Sequence, residues 1–240
     1  MSTPSRTSPT PPDTFAAATF TTWHSVLTLS APSRRDCRDI HRLHQFALYG
    51  HRPPHLRTAV PTPPPPHVLF VARRSPATRR ADAGTPTQLL VQSPTKPDWQ
   101  PLLTTQRLSY AQVTPVRQHY RAGDHVDIHM TANPSQRESR SPRRVALNTP
   151  EECGAWLQRH LKRNGILSEL SQMQVGPKQT LTGTSSTGRT ITIVARYLRA
   201  RGTVQNAAAF AQALTNGLGP AKPYGCGLLL TQPPTPDPLS

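Results

Sequence analysis

Apolar and polar residues begin to alternate within Trp23–Leu29, most clearly in Val26-Leu27-Thr28-Leu29, and predict a first strand. Ser33-Arg34-Arg35-Asp36 has the spacing of a capping box. The helix it predicts carries Ile40, Leu43 and Ala47 on one stripe and stops at Gly50. Beyond a proline-rich connection, His67–Ala72 and Gln88–Gln92 read as strands, and Pro97-Asp98-Trp99 as the start of a short helix. The pattern returns after residue 120. Val126–Met130 alternates as a strand, and Thr149-Pro150-Glu151-Glu152 combines a threonine cap, a proline in the first turn and a closing glutamate. Trp156, Leu157 and Leu161 form the apolar face of that helix, with Gly165 after its end. The β-branched run Thr190–Tyr197, a helix over Ala207–Leu214 and a last strand Gly227–Leu230 complete the second half.

Two copies of strand–helix–strand–strand–helix–strand predict an α+β chain of two tandem ferredoxin-like (βαββαβ, RRM-like) domains. The expected boundaries are a disordered extension over 1–21, domains over 22–120 and 121–232, and a disordered tail over 233–240. Much of the proline lies in residues 4–12, 53–66 and 233–238, where a packed core is not expected.

Charge changes the picture more than length does. Lys and Arg number 28 against 12 Asp and Glu, and both halves are net positive, so a basic tail alone cannot account for the +16. A polyanion partner is favoured, nucleic acid before an anionic membrane surface. No run approaches the roughly 18 apolar residues of a spanning helix, and the first residues lack the apolar core of a secretory signal. Cys37, Cys153 and Cys226 stand apart, without disulfide or zinc spacing, as in a reduced, cytoplasmic protein. Asp124, His125, Asp127 and His129 alternate along a predicted strand and read better as a solvated face than as metal ligands, so neither metal nor cofactor is expected.

Three places carry candidate chemistry. Gly217-Leu218-Gly219-Pro220-Ala221-Lys222 and Gly225-Cys226-Gly227 form a backbone-rich loop between helix and strand. It suits a phosphate cradle or a tight turn with several positive φ angles equally well, and lacks the Walker spacing for nucleotide hydrolysis. His41 and His44 flank the same side of the first helix's apolar stripe, a place where packed histidines are common and catalytic ones rarer. Arg137, Arg140, Arg143 and Arg144, interleaved with serine and proline, read as a mobile loop that either follows a phosphate backbone or is simply solvated.

Together these motifs resemble the CasE family of repeat-processing endoribonucleases from type I-E CRISPR systems, within the RAMP superfamily. Leu43-His44-Gln45, Leu89-Leu90-Val91-Gln92, Pro97-Asp98-Trp99, Ala132-Asn133-Pro134, Arg144–Pro150, Ala155–Arg159 and the Gly217–Leu229 loop carry the likeness, from about residue 23 to 232. Matching is poor over 50–86 and 166–187. The resemblance implies binding of a CRISPR repeat hairpin in precursor CRISPR RNA and metal-independent cleavage to 2′,3′-cyclic phosphate and 5′-hydroxyl ends. It also implies association with other Cascade subunits. His44 matches the family's catalytic histidine. His41 stands where the family often has tyrosine, and Gln45 where some members have arginine. RNA contacts are expected from Arg143, Arg144, Arg159, Gly217, Gly219, Lys222 and Gly225. A non-catalytic RNA-binding subunit of the same complex is the alternative, and a general basic RNA-binding protein lies further off.

Overall fold

A computed structural model describes residues 17–51, 67–74, 84–138, 144–163 and 165–232. Most of the expected extension, the proline-rich connection, Arg140, Arg143 and the tail lie outside the described residues. The first half contains β1 (Ala18–Leu29), α1 (Ala31–Asp36), α2 (Ile40–Leu48), β2 (Leu69–Arg74), β3 (Pro86–Ser93), α3 (Gln100–Thr104) and β4 (Leu108–Tyr120). Its four strands are antiparallel in the order β2-β3-β1-β4, the ferredoxin-like arrangement.

The second half contains β5 (His125–Ala132), β6 (Ser135–Arg137), β7 (Arg144–Ala146), α4 (Pro150–Arg163), β8 (Leu167–Val175), β9 (Gln179–Thr184), β10 (Thr190–Val204), α5 (Ala207–Asn216) and β11 (Leu230–Gln232). Its main sheet runs β11-β5-β10-β8, the same order, while β9 folds back on the first part of β10 as a hairpin. The predicted box at Thr149 forms: Glu152 N–H donates to Thr149 Oγ1 at 3.2 Å, and the Glu152 carboxylate accepts from the Asn148 and Thr149 amides at 3.0 and 3.1 Å.

Four expectations are corrected. The first strand starts at Ala18 rather than Trp23, because Ala18–Thr22 pair with β4 and Phe20 is buried beside Tyr120. The first helix is two helices: Ser33 is buried inside α1 rather than capping, and α2 restarts at Ile40 under an Asp39 cap. The two described ends of the arginine-rich stretch are strand residues rather than loop, since Arg137 pairs opposite Arg144 between β6 and β7. Only Leu230–Gln232 of the last segment form a strand, because Gly227 turns at φ +89° to bond across the loop.

Among the described residues two main apolar cores result, beside a small third one, and the main two do not divide at residue 120. Leu27, Leu29, Leu43, Phe46, Phe70 and Trp99 form the smaller, between sheet and helices of the first half. The larger, around Trp156, Leu157, Leu198 and Phe210, also takes in Phe20 and Tyr120, because α5 packs on β1 as well as on its own sheet. Tyr120 meets Phe210 edge to face at 4.8 Å, a favourable aromatic geometry. Burial of such rings helps to join the halves.

Candidate active site

Helix α2 exists because Ile40, Leu43, Phe46 and Ala47 recur on the face that meets the core, and because Asp39 satisfies its first N–H groups. Asp39 Oδ1 accepts from His41 N–H at 2.8 Å and Arg42 N–H at 3.0 Å. Oδ2 accepts the Thr184 amide, on β9, at 2.8 Å. Partial burial works to raise the pKa of Asp39, but the bonds from Arg42, Thr184 and His41 prevail and hold it below the ordinary value.

His41 and His44 are both half-buried on this helix. Nε2 of His41 lies 3.2 Å from Nε2 of Gln45, one turn on. The His44 ring presents an edge to Tyr224, with centroids 6.3 Å apart and planes at 63°. Tyr224 ends a short 3-10 turn, Lys222–Tyr224, that follows the glycine-rich loop. The helix and the loop, more than 170 residues apart in the chain, therefore meet at His44. Ile40, Leu181, Ala195 and Cys226 close a small core behind that contact.

The glycines of the loop have steric reasons. A Cβ on Gly219 would come within 2.7 Å of the Trp156 ring, and one on Gly217 within 2.6 Å of the Gly227 carbonyl, both at positive φ. The amides of Gly217, Leu218, Tyr224, Gly225 and Gly227 already donate to the carbonyls of Ala213, Gly227, Ala221, Lys222 and Thr131. These five N–H groups are thus committed to shaping the turn. Lys222 is half-buried in that turn, and burial lowers its ammonium pKa.

The remaining expected RNA contacts lie elsewhere on the second half. Arg144 opens β7, is exposed, and donates from Nε to Ser135 Oγ at 3.2 Å. Arg159 is exposed on α4, where it shares a groove with Gln158, His160, Lys162 and Arg163. Asp127, read above as part of a solvated strand face rather than as a metal ligand, is instead buried, because Arg199 and Arg201 engage both of its oxygens. Arg201 Nε donates to Oδ1 at 2.9 Å and Arg199 to Oδ2 at 3.0 Å, and Arg201 foremost holds the carboxyl low. Among the described residues no group of three or more His, Cys, Asp or Glu is placed to hold a metal, and no helix is long and apolar enough to cross a membrane.

Sequence reasoning missed Asp39, Gly183, Thr184 and Tyr224. Asp39 directly before Ile40 is a legible cap signal, but the box at Ser33 competed with it. The other three matter only through contacts between the halves.

Two tandem ferredoxin-like sheets, with a histidine-bearing helix docked on a glycine-rich turn, place the chain among CRISPR-associated proteins, and the family model of that description matches residues 22–233. Within that class it belongs to the CasE (Cse3) family. It is 33% identical over 162 residues to the CRISPR-associated endoribonuclease Cse3 of Thermus thermophilus, covering 62% of this chain and 74% of that one. The structure of Thermus thermophilus Cse3 bound to an RNA representing a pre-cleavage complex superimposes with a TM-score of 0.68 at 27% identity, over 89% of this chain and all of the other. Cas6e from Escherichia coli K-12 shares the fold, with a TM-score of 0.57 at 22% identity over 88% of this chain and 99% of the other.

Proposed function

We propose that this protein is a CRISPR-associated endoribonuclease that binds the repeat hairpin of precursor CRISPR RNA and cuts it without metal, leaving 2′,3′-cyclic phosphate and 5′-hydroxyl ends. The observation that carries the reading is His44, held half-buried where α2 meets the Lys222–Tyr224 turn, in a chain 33% identical to an endoribonuclease. RNA brings its own nucleophile, the 2′-hydroxyl, so the protein needs to move protons and steady charge rather than generate hydroxide. Histidine ordinarily titrates near 6.5 and can take the 2′ proton or protonate the departing 5′ oxygen. His41 is a second proton-carrying group on the same side of α2, and Lys222 supplies positive charge for the phosphorane.

Recognition falls to the basic surface of the second half. Arg137 and Arg144 oppose each other across the β6–β7 ladder, a like-charge pairing that costs stability and is relieved by a phosphate between them. Arg143, which precedes Arg144 in the sequence, is a further phosphate contact in this reading, and Arg159 adds the exposed face of α4. The pre-cleavage RNA complex of Cse3 supports an RNA substrate.

Single-turnover cleavage of a repeat RNA in EDTA, with end-group analysis, tests this. The parent should cut and leave a cyclic phosphate, and a 2′-deoxy substitution at the cut site should leave the RNA bound and intact. His44→Ala should slow cleavage by about 10²-fold or more with little change in affinity. Cleavage by His44→Ala at the parent rate would leave a binding subunit rather than this enzyme.

A further inference from the structure

We infer that Asp39 is a positioning residue that locks helix α2 of the first half to the β9–β10 hairpin of the second, so that His44 is held in register with the second half's basic surface. The inference rests on the endoribonuclease reading for its catalytic consequence, but not for its geometry. One carboxylate does two jobs: Oδ1 caps α2 through the His41 and Arg42 amides, and Oδ2 takes the Thr184 amide across the junction. The cap is local to the helix, whereas the second bond joins residues 145 apart in sequence.

Gly183 shows how closely the two parts are fitted. A Cβ there would fall 2.7 Å from Asp39 Oδ1, 2.9 Å from Ile40 N and 3.0 Å from His41 N. Two of those three atoms are backbone and cannot swing aside. Ile40, the first residue of α2, is itself buried against Leu181 and Ala195 of the hairpin. The helix start is therefore gripped by a polar bond and an apolar contact from the same hairpin.

His44 lies five residues beyond Asp39, a rise of about 7.5 Å along the helix. Nine residues make a helix too short to hold itself, so its place depends on such anchors. In-line attack tolerates little displacement: a shift of about 1 Å can cost as much as 10²-fold.

Asp39→Asn separates clamp from cap. An asparagine oxygen can still cap α2, but the amide nitrogen beside it cannot accept from Thr184. Asp39→Ala removes both. Full-length parent and variants are compared by amide exchange at Thr184, by affinity for a repeat hairpin RNA from the protein's own locus, and by single-turnover rate. In Asp39→Asn, Thr184 should exchange faster and the rate should fall about tenfold while Kd stays within about twofold, with Asp39→Ala at least as slow. A parent rate in Asp39→Asn, or an equal loss in rate and affinity, overturns the positioning role. Should the parent cut no repeat RNA, the endoribonuclease reading falls by itself. Exchange at Thr184 then decides the clamp: faster in Asp39→Asn supports it, unchanged overturns it.

Discussion

The side-chain amide of Gln92 donates to the carbonyl of Leu214 at 2.7 Å, a buried bond from β3 of the first half to α5 of the second. The other end of the same amide faces His24, whose Nε2 lies 3.1 Å from Gln92 Oε1. Gln92 thus ties β3 of the first half to α5 of the second through a buried polar bond.

Removing it should be costly out of proportion to its size. Gln92→Leu leaves the Leu214 carbonyl desolvated and without its donor, a loss of about 1–3 kcal/mol. Urea unfolding should show a lower midpoint. A midpoint equal to the parent's would mean that water or a rearranged side chain satisfies the carbonyl.

Acid should act through His51. Burial pushes its pKa down to about 4, against an ordinary 6.5, and its ring packs edge-on to Trp99 at 5.9 Å. The unfolded chain binds this proton below about pH 6.5 and the folded chain only near 4, so stability is full above 6.5 and declines as pH falls towards 4. His51→Gln cannot titrate and should lose less stability than the parent between pH 7 and 4.5. Parallel losses in the two proteins would exclude His51 as the source.

Gly219→Ala tests whether the loop is a scaffold or a phosphate cradle. Its φ of +76° and the Trp156 ring 2.7 Å from the added Cβ predict a loss of about 1–3 kcal/mol in stability. The folded fraction should keep its RNA affinity. Unchanged stability with collapsed affinity would instead make the position a ligand contact.

Arg143→Ala with Arg144→Ala should weaken hairpin binding and flatten its salt dependence, since each neutralised phosphate adds about −0.9 to the log–log slope on a duplex. Arg159→Ala should do the same on its own. A slope identical to the parent's would show that these guanidinium groups are merely solvated.

Much of this was legible in the chain. Short-range signals worked where the deciding partners are near in sequence: the Thr149–Glu152 box, the apolar stripe of α2, and the β-branched run of β10. The repeated order of elements was enough for the fold class, although β4 and β8, which complete the two sheets, were not among the strands read from the sequence. The motif around His44 and the glycine-rich loop pointed to the family before any contact between them was known.

Local rules failed where the partner is distant. Ala18–Thr22 carry a weak strand pattern, and only pairing with β4 makes them one. The break between α1 and α2 was hidden because Ser33 and Asp39 both resemble caps, and burial against the core chose between them. Strands β8 and β9 lack a strong apolar rhythm, since one face of each is solvated and their edges are settled by β10. The sequence by itself determined two ferredoxin-like units, a strongly basic chain and a histidine pair flanking one apolar stripe, because periodicity, charge and motif are properties of neighbouring residues. That Tyr224 faces His44, that Asp39 reaches Thr184 and that Gln92 reaches Leu214 was decided by the tertiary structure alone, because those bonds depend on how two separately patterned halves are oriented when their shared apolar surface is buried.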